Sequence, residues 1–207
     1  MKNIMHGLIL VLLCGAMGAA QADTSRWSVG FLYGELQPEL SGWDQAYDED
    51  MQGWQFSMAY KAMPFLDLGV STGYYSADGQ GLLPLNNTMG GMVEYVLVPL
   101  DLSLELQAVF NPSQWFIPYV GAGYSELYYK LKIANQDKRE GRASGSHYKA
   151  GVKLLLNQLD AAAAQRLQRA WGVEKTLLIL EYYSLDVEKE DLDLGGERYS
   201  LGLVFEF

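Results

Sequence analysis

Tyr199-Ser200-Leu201-Gly202-Leu203-Val204-Phe205-Glu206-Phe207, the end of the chain, has a period of two. Tyr199, Leu201, Leu203, Phe205 and Phe207 fall on one face of an extended strand; Ser200, Gly202, Val204 and Glu206 fall on the other. Successive side chains of a strand point to opposite faces, so this pattern describes a strand with one large apolar face and one small or polar face.

The same period runs back through the chain. Trp27, Val29, Phe31 and Tyr33 alternate with Ser28, Gly30 and Gly34. Trp54, Phe56, Met58 and Tyr60 alternate with Gln55, Ser57, Ala59 and Lys61. Leu66, Leu68, Val70 and Tyr74 alternate with Asp67, Gly69, Ser71 and Gly73. Leu100, Leu102, Leu104 and Leu106 alternate with Asp101, Ser103, Glu105 and Gln107. Val120, Ala122 and Tyr124 alternate with Tyr119, Gly121 and Gly123. Tyr148, Ala150, Val152 and Leu154 alternate with Lys149, Gly151 and Lys153. Leu177 to Tyr183 is apolar on both faces apart from Glu181, which leaves its register open. With the terminal strand this makes eight, separated by turn signals at Met63-Pro64, Asn111-Pro112-Ser113 and Gly195-Gly196. An even number of antiparallel strands brings both termini to one side.

The small face also carries Lys61, Asp67, Asp101, Glu105, Lys149, Lys153 and Glu206. A soluble barrel is apolar inside and wet outside; here the apolar face is the aromatic-rich one and the other is ionisable. The interior of an eight-stranded barrel is narrow and filled by side chains, where three bases and four acids can pair. The fold expected is therefore all-β, an eight-stranded antiparallel transmembrane β-barrel with its apolar face in lipid. A soluble sandwich is the alternative, and it gives no reason for an exported chain ending on an apolar strand.

Composition agrees with export. The 207 residues hold 25 acids and 15 bases, a net charge of −10, which argues against nucleic-acid binding. Only the first 22 residues approach the length of an apolar membrane helix. Lys2, the aliphatic run Leu8 to Leu13 and the small-x-small site Ala20-Gln21-Ala22 read as a cleaved signal peptide over 1–22, leaving 23–207 as the barrel domain. Cys14 follows Leu13 rather than a small residue, which argues against lipidation. Without the leader's Lys2 the mature chain keeps 14 bases and all 25 acids, net −11, and has no cysteine.

The alternating terminal strand ending in Phe207, with Phe205 before it, resembles the assembly signal of bacterial outer-membrane barrels. Pro99-Leu100-Asp101-Leu102-Ser103-Leu104, then Phe110-Asn111-Pro112, then Ile117-Pro118-Tyr119-Val120-Gly121-Ala122-Gly123-Tyr124 resembles the strand-turn-strand centre of the OmpW/OmpA-like small barrels. That resemblance implies an outer-membrane location, recognition of Phe205 and Phe207 by the barrel assembly machinery, and outer-membrane lipid and lipopolysaccharide as surroundings. OmpW-like barrels are associated with an apolar lumen suited to small hydrophobic molecules; the inner face here is charged instead.

Gln158 to Gly172 departs from a short turn. It reads as a helix with Asp160 near its start and Gly172 as its stop. Leu159, Ala163, Leu167, Ala170 and Trp171 share a face, and Arg166 and Arg169 lie toward the end, where the macrodipole favours cations. Strand count puts it between strands six and seven on the periplasmic side, touching the barrel's base or the inner lipid interface.

Chemistry is sparse. His147, the mature chain's single histidine, follows Ser144 and Ser146, and outer-membrane lipid A deacylases and palmitoyl transferases pair a histidine base with a serine. Neither family's motif is otherwise matched, and Arg142-Ala143-Ser144-Gly145-Ser146 reads as ordinary loop sequence. Metal ligands are lacking, and the acidic run Asp186, Glu188, Glu190, Asp191, Asp193 lacks the spacing of a calcium loop. No catalytic, cofactor or metal residue is assigned. Lys130, Lys132, Lys138, Arg139 and Arg142 form a basic third outer loop. Glu39, Asp44, Asp48, Glu49 and Asp50 make the first acidic, as Glu190, Asp191 and Asp193 make the fourth. They read either as contacts to lipopolysaccharide phosphates and shared cations, or as loops that pair and stay hydrated. Three functions compete: a monomeric structural or surface-interaction barrel with a charge-filled lumen, a narrow channel or uptake route for small molecules, and a lipid-modifying enzyme using His147. The sequence favours the first.

Overall fold

The computed structural model describes residues 25–39, 43, 47, 49–82, 89–111, 114–133, 139–189 and 192–207. The expected leader, 1–22, lies outside them, as do Asp44, Asp48, Pro112, Ser113, Lys138, Glu190 and Asp191.

Eight long strands close into an antiparallel barrel: β1 (Trp27–Pro38), β2 (Met51–Met63), β3 (Leu66–Leu82), β4 (Met89–Gln107), β5 (Phe116–Ile133), β6 (Arg139–Leu155), β7 (Lys175–Asp186) and β10 (Gly196–Glu206). Each pairs with its neighbour in sequence, and β1 against β10 closes the circle. A two-stranded hairpin, β8 (Glu188–Lys189) and β9 (Leu192–Asp193), sits between β7 and β10. Both termini lie at one end, where Arg26 N–H donates to the Phe207 carbonyl at 2.9 Å. The turn Pro64–Phe65 and the long connection from β6 to β7 share that end.

The outer surface is apolar in a belt. Phe31, Leu102, Leu104 and Leu201 are each more than half exposed, more contiguous apolar surface than water tolerates on a monomer. Trp27, Tyr60, Phe110, Trp115, Phe116 and Phe207 ring the terminal end; Tyr33, Trp54, Tyr74, Tyr124, Tyr148 and Tyr199 ring the loop side. Two aromatic girdles bounding an apolar band are what a lipid bilayer selects.

Four strands outrun the bilayer. A tilted strand crosses with about 9–11 residues, whereas β3 to β6 have 17, 19, 18 and 17. Above the upper girdle the alternation inverts. Tyr75, Ala77, Tyr95, Leu97, Leu127, Tyr129 and Leu131 now face inward, while Ser76, Asp78, Glu94, Glu126, Lys130 and Lys132 face outward into water. The sequence expectation of shorter strands followed the lipid-facing phase alone and stopped where it flipped. Lys130, Lys132 and Arg142 thus stand on strands rather than on a basic loop. Lys132 pairs with Glu94 at 3.6 Å and Arg142 with Glu126 at 3.6 Å, across neighbouring strands.

Between β6 and β7 lie a 3-10 turn, Leu156–Gln158, and helix α1, Ala161–Trp171. Asp160 caps α1 by accepting from the Ala163 N–H at 2.9 Å, and Gly172 ends it in the left-handed region at φ 72°. No residue of α1 is buried; only Ala164 and Leu167 are half-buried. Among the described residues no helix is long and apolar enough to cross a membrane.

Candidate functional site

The lumen is where this chain concentrates its buried polar groups. Strand parity turns Lys61, Asp67, Asp101, Glu105, Lys149, Lys153 and Glu206 inward. At the terminal end Glu206 holds Lys61 at 3.0 Å and Lys175 at 3.4 Å. Next, Lys153 bonds Glu105 and lies 3.8 Å from Asp67, which also accepts from the Gln107 amide. Lys149 reaches Glu105 at 3.1 Å and Glu181 at 4.0 Å. Glu181 accepts from Tyr119 Oη at 2.8 Å and from Arg198 Nη2 at 3.2 Å. Arg198 lies 4.0 Å over the Tyr183 ring.

Asp101, 1% exposed, contacts none of these cations and is held by three hydroxyls: Ser71 at 3.1 Å, Ser125 at 2.7 Å and Tyr183 at 3.0 Å. Five acids (Asp67, Asp101, Glu105, Glu181, Glu206) therefore share the lumen with five bases (Lys61, Lys149, Lys153, Lys175, Arg198), and their charges balance. Burying ions in this number is tolerable only when they are paired and hydrogen-bonded.

Glu181, Arg198 and Lys175 escape a reading based on alternation. The inner face of β7 below Glu181 is apolar, with Leu177 and Ile179, so the strand looks two-faced. Arg198 precedes the alternating run that marks β10, although the strand already begins at Gly196.

Gly121 and Gly123 make room for the larger groups. A Cβ on Gly121 would lie 2.8 Å from Lys149 Cε; one on Gly123 would lie 2.6 Å from His147 Cε1 and 2.0 Å from the Leu102 carbonyl oxygen. The small-residue string after Tyr119 is thus a bare strip on β5 against which the side chains of β6 lie.

His147 is 1% exposed, inside the barrel rather than at its mouth. Ser144 and Ser146 project from the opposite face of β6, so the serine-rich stretch does not gather around it. Its hydroxyl partner is Ser125, 2.7 Å from Nδ1. The carboxylate of Asp101 can only accept, so the single Ser125 proton goes to it and Nδ1–H must donate to Ser125 Oγ. A base that activates a serine accepts its proton; this imidazole gives one.

Above the charges the lumen turns apolar. Leu36, Trp43, Tyr47, Met51, Tyr75, Tyr95, Leu97, Leu127, Leu185, Val187 and Leu194 form one buried cluster. Trp43 and Tyr47, from the connection between β1 and β2, stack at 3.9 Å, and Trp43 meets the edge of Tyr95 at 6.0 Å. Their connection reads as an acidic outer loop in sequence, yet two of its aromatics cap the bore. Among the charges lies a cavity of about 50 Å³ lined by Gln55, Asp67, Ser71, Glu105, Lys149 and Glu181 among others, room for a few waters. Among the described residues no His, Cys, Asp and Glu side chains gather as a metal site.

The comparisons with known proteins concern this same architecture. The family model "Outer membrane protein beta-barrel domain" matches residues 7–207. No curated protein matches the chain. Among solved structures, the outer membrane protein OprG from Pseudomonas aeruginosa is similar at 12% identity, covering 88% of this chain and 96% of OprG, with a TM-score of 0.64. Neisserial surface protein A is similar at 12% identity, covering 90% of this chain and 99% of that one, with a TM-score of 0.51. Identities this low speak for the fold and not for activity. A family model spanning nearly the whole sequence, on a closed eight-stranded barrel with two aromatic girdles, shows that the chain belongs to the outer membrane protein beta-barrel domain family.

Proposed function

We propose that this outer-membrane barrel is a closed structural and surface-interaction protein rather than a pore or an enzyme. The observation that carries the reading is the double obstruction of the bore: paired charges fill the periplasmic half, and the Trp43–Tyr47 cap fills the extracellular half. The cavity of about 50 Å³ between the charges is of a size for a few waters. With its lumen closed, the barrel acts through its outer surface. The raised wall of β3 to β6 presents Lys130, Lys132 and Arg142 beside Glu94, Glu126 and Glu140 at the height of the lipopolysaccharide sugars and phosphates. That charge pattern suits contact with lipopolysaccharide, cation to phosphate. Phe205 and Phe207 on the terminal strand serve the barrel assembly machinery as its signal, the leader 1–22 directs export, and the barrel works as a monomer without cofactor.

Planar-bilayer recording of refolded protein tests the reading. Silent membranes are expected; stable single-channel steps, or uptake of small solutes into vesicles carrying the protein, would overturn it in favour of a channel. Mass spectrometry of lipid A from cells with the protein, without it and with His147→Ala is expected to be identical. Acyl-chain changes that depend on His147 would make the protein an enzyme.

A further inference from the structure

Helix α1 leaves an apolar surface uncovered at the periplasmic rim. Ala163, Leu167, Ala170 and Trp171 share one side of it, Gln165 and Arg169 lie on the other, and Arg166 flanks the apolar side. Leu159 is 83% exposed and Trp171 76% exposed. An isolated helix of 11 residues is not stable in water, so its face needs a surface.

The root of α1 is pinned at the height of the lipid boundary. Asn157 Nδ2 donates to the Glu174 carbonyl at 2.8 Å, and Asn157 Oδ1 accepts from the Thr176 N–H at 2.7 Å. Just before this, Leu155 N–H donates to the carbonyl of Trp115, a member of the periplasmic girdle. Buried Val173 follows Gly172, so Trp171 is held within four residues of Lys175, where β7 begins. The root of α1 thus lies at the end of the barrel where the exposed Trp115 and Phe116 border the lipid-facing belt. Charge points the same way. The helix carries Arg166 and Arg169 and no acid, in a mature chain of net charge −11.

We propose that α1 lies in the headgroup layer of the inner leaflet, with Leu159 and Trp171 at the acyl boundary and Arg166 and Arg169 on anionic phospholipid phosphates. Tryptophan at such a boundary keeps its indole N–H wet and its rings apolar, and arginine stems lie along lipid while the guanidinium reaches phosphate. The helix fixes the barrel's depth and rotation from the inside, as a float fixed to the rim.

The test uses the full mature chain, which has no cysteine of its own. Ala170→Cys on the apolar side and Gln165→Cys on the polar side keep both anchors and both arginines. Each is labelled with bimane and refolded into vesicles of phosphatidylcholine and phosphatidylglycerol, and gel mobility before and after boiling reports the closed barrel. The label at position 170 is expected to be quenched by lipids bearing a nitroxide near the headgroup and protected from aqueous iodide; the label at 165 is expected to behave in the opposite way. Lipid quenching at 170 is expected to fall in phosphatidylcholine alone, and with Arg166→Gln and Arg169→Gln combined. A label at 170 shielded from both quenchers would show α1 packed on protein. A label as open to iodide as that at 165 would show α1 free in water. Either result overturns the proposal, and quenching indifferent to charge overturns the phosphate contact.

Discussion

Arg198 Nη2 donates to Glu181 Oε1 at 3.2 Å, with 2% of one side chain and 5% of the other exposed. The two residues join β10 to β7 at the middle of the bore, where the charge network meets the aromatic cap. Arg198→Met would leave Glu181 buried with Tyr119 and a Lys149 that is 4.0 Å away. Removing one partner of a buried pair costs about 3–5 kcal/mol. The expected result is a clear drop in unfolding temperature in detergent micelles. Adding Glu181→Met should recover most of it, because the uncompensated charge goes. An unchanged single variant would show that this pair is solvated in the folded protein.

The two obstructions act in series, and each should suffice alone. Glu105→Ala strips Lys149 and Lys153 of their shared carboxylate, but the Trp43–Tyr47 stack still closes the far end. Trp43→Ala thins the cap and leaves the charges in place. Neither single variant is expected to conduct, though Glu105→Ala should lower the unfolding temperature. The double variant is expected to leak ions. Conductance from Trp43→Ala alone would mean that the charge layer does not seal.

The lipid-facing phase of the alternation carried the fold class in the sequence. Phe31, Leu102 and Leu201 sit where a period of two puts them, and eight such runs can close a barrel. What lay beyond was hidden by that very rule. In Tyr75-Ser76-Ala77-Asp78 the phase inverts, because an outer face above the membrane must be polar and an inner face must pack a cap. In Leu177 to Tyr183 the inner face mixes Leu177 and Ile179 with Glu181, so no alternation announces the acid. Trp43 and Tyr47 stand among acids in a connection that reads as hydrated, and only the fold brings them to Tyr95. In sequence His147 stands at the mouth of strand six beside Ser144 and Ser146. The pairing of β6 with β5 reveals that Ser125, distant in sequence, is its partner.

Tyr47 should titrate late. Burial in the cap, and secondarily the nearby Asp78 carboxylate, push its phenol from 10.0 up to about 12. A raised folded-state value means that the folded form holds the proton more tightly than the unfolded form. The stability this group contributes is therefore fully present below pH 10 and is lost as pH rises through about 12. The difference between alkaline absorbance titrations of the native protein and Tyr47→Phe isolates this phenol from the other tyrosines. Ionisation near 10 would show that the cap is open to solvent.

Gly123 tests the reason for the glycine string on β5. A methyl group there would meet the Leu102 carbonyl oxygen at 2.0 Å and the His147 ring at 2.6 and 2.7 Å. That ring has little freedom to yield, because Ser125 holds its Nδ1 and Tyr183 stacks on it at 5.0 Å. Overpacking a filled interior typically costs about 1–3 kcal/mol, and Gly123→Ala is expected to destabilise the barrel by that order. Two contacts contribute, one to a side chain and one to a neighbouring strand, and a double-mutant cycle separates them. If the ring dominates, His147→Ala opens the space and the cost of Gly123→Ala shrinks in that background. If the cost is the same in both backgrounds, the glycine is required for the approach of β4 to β5, and His147 merely occupies room that the backbone contact had already created.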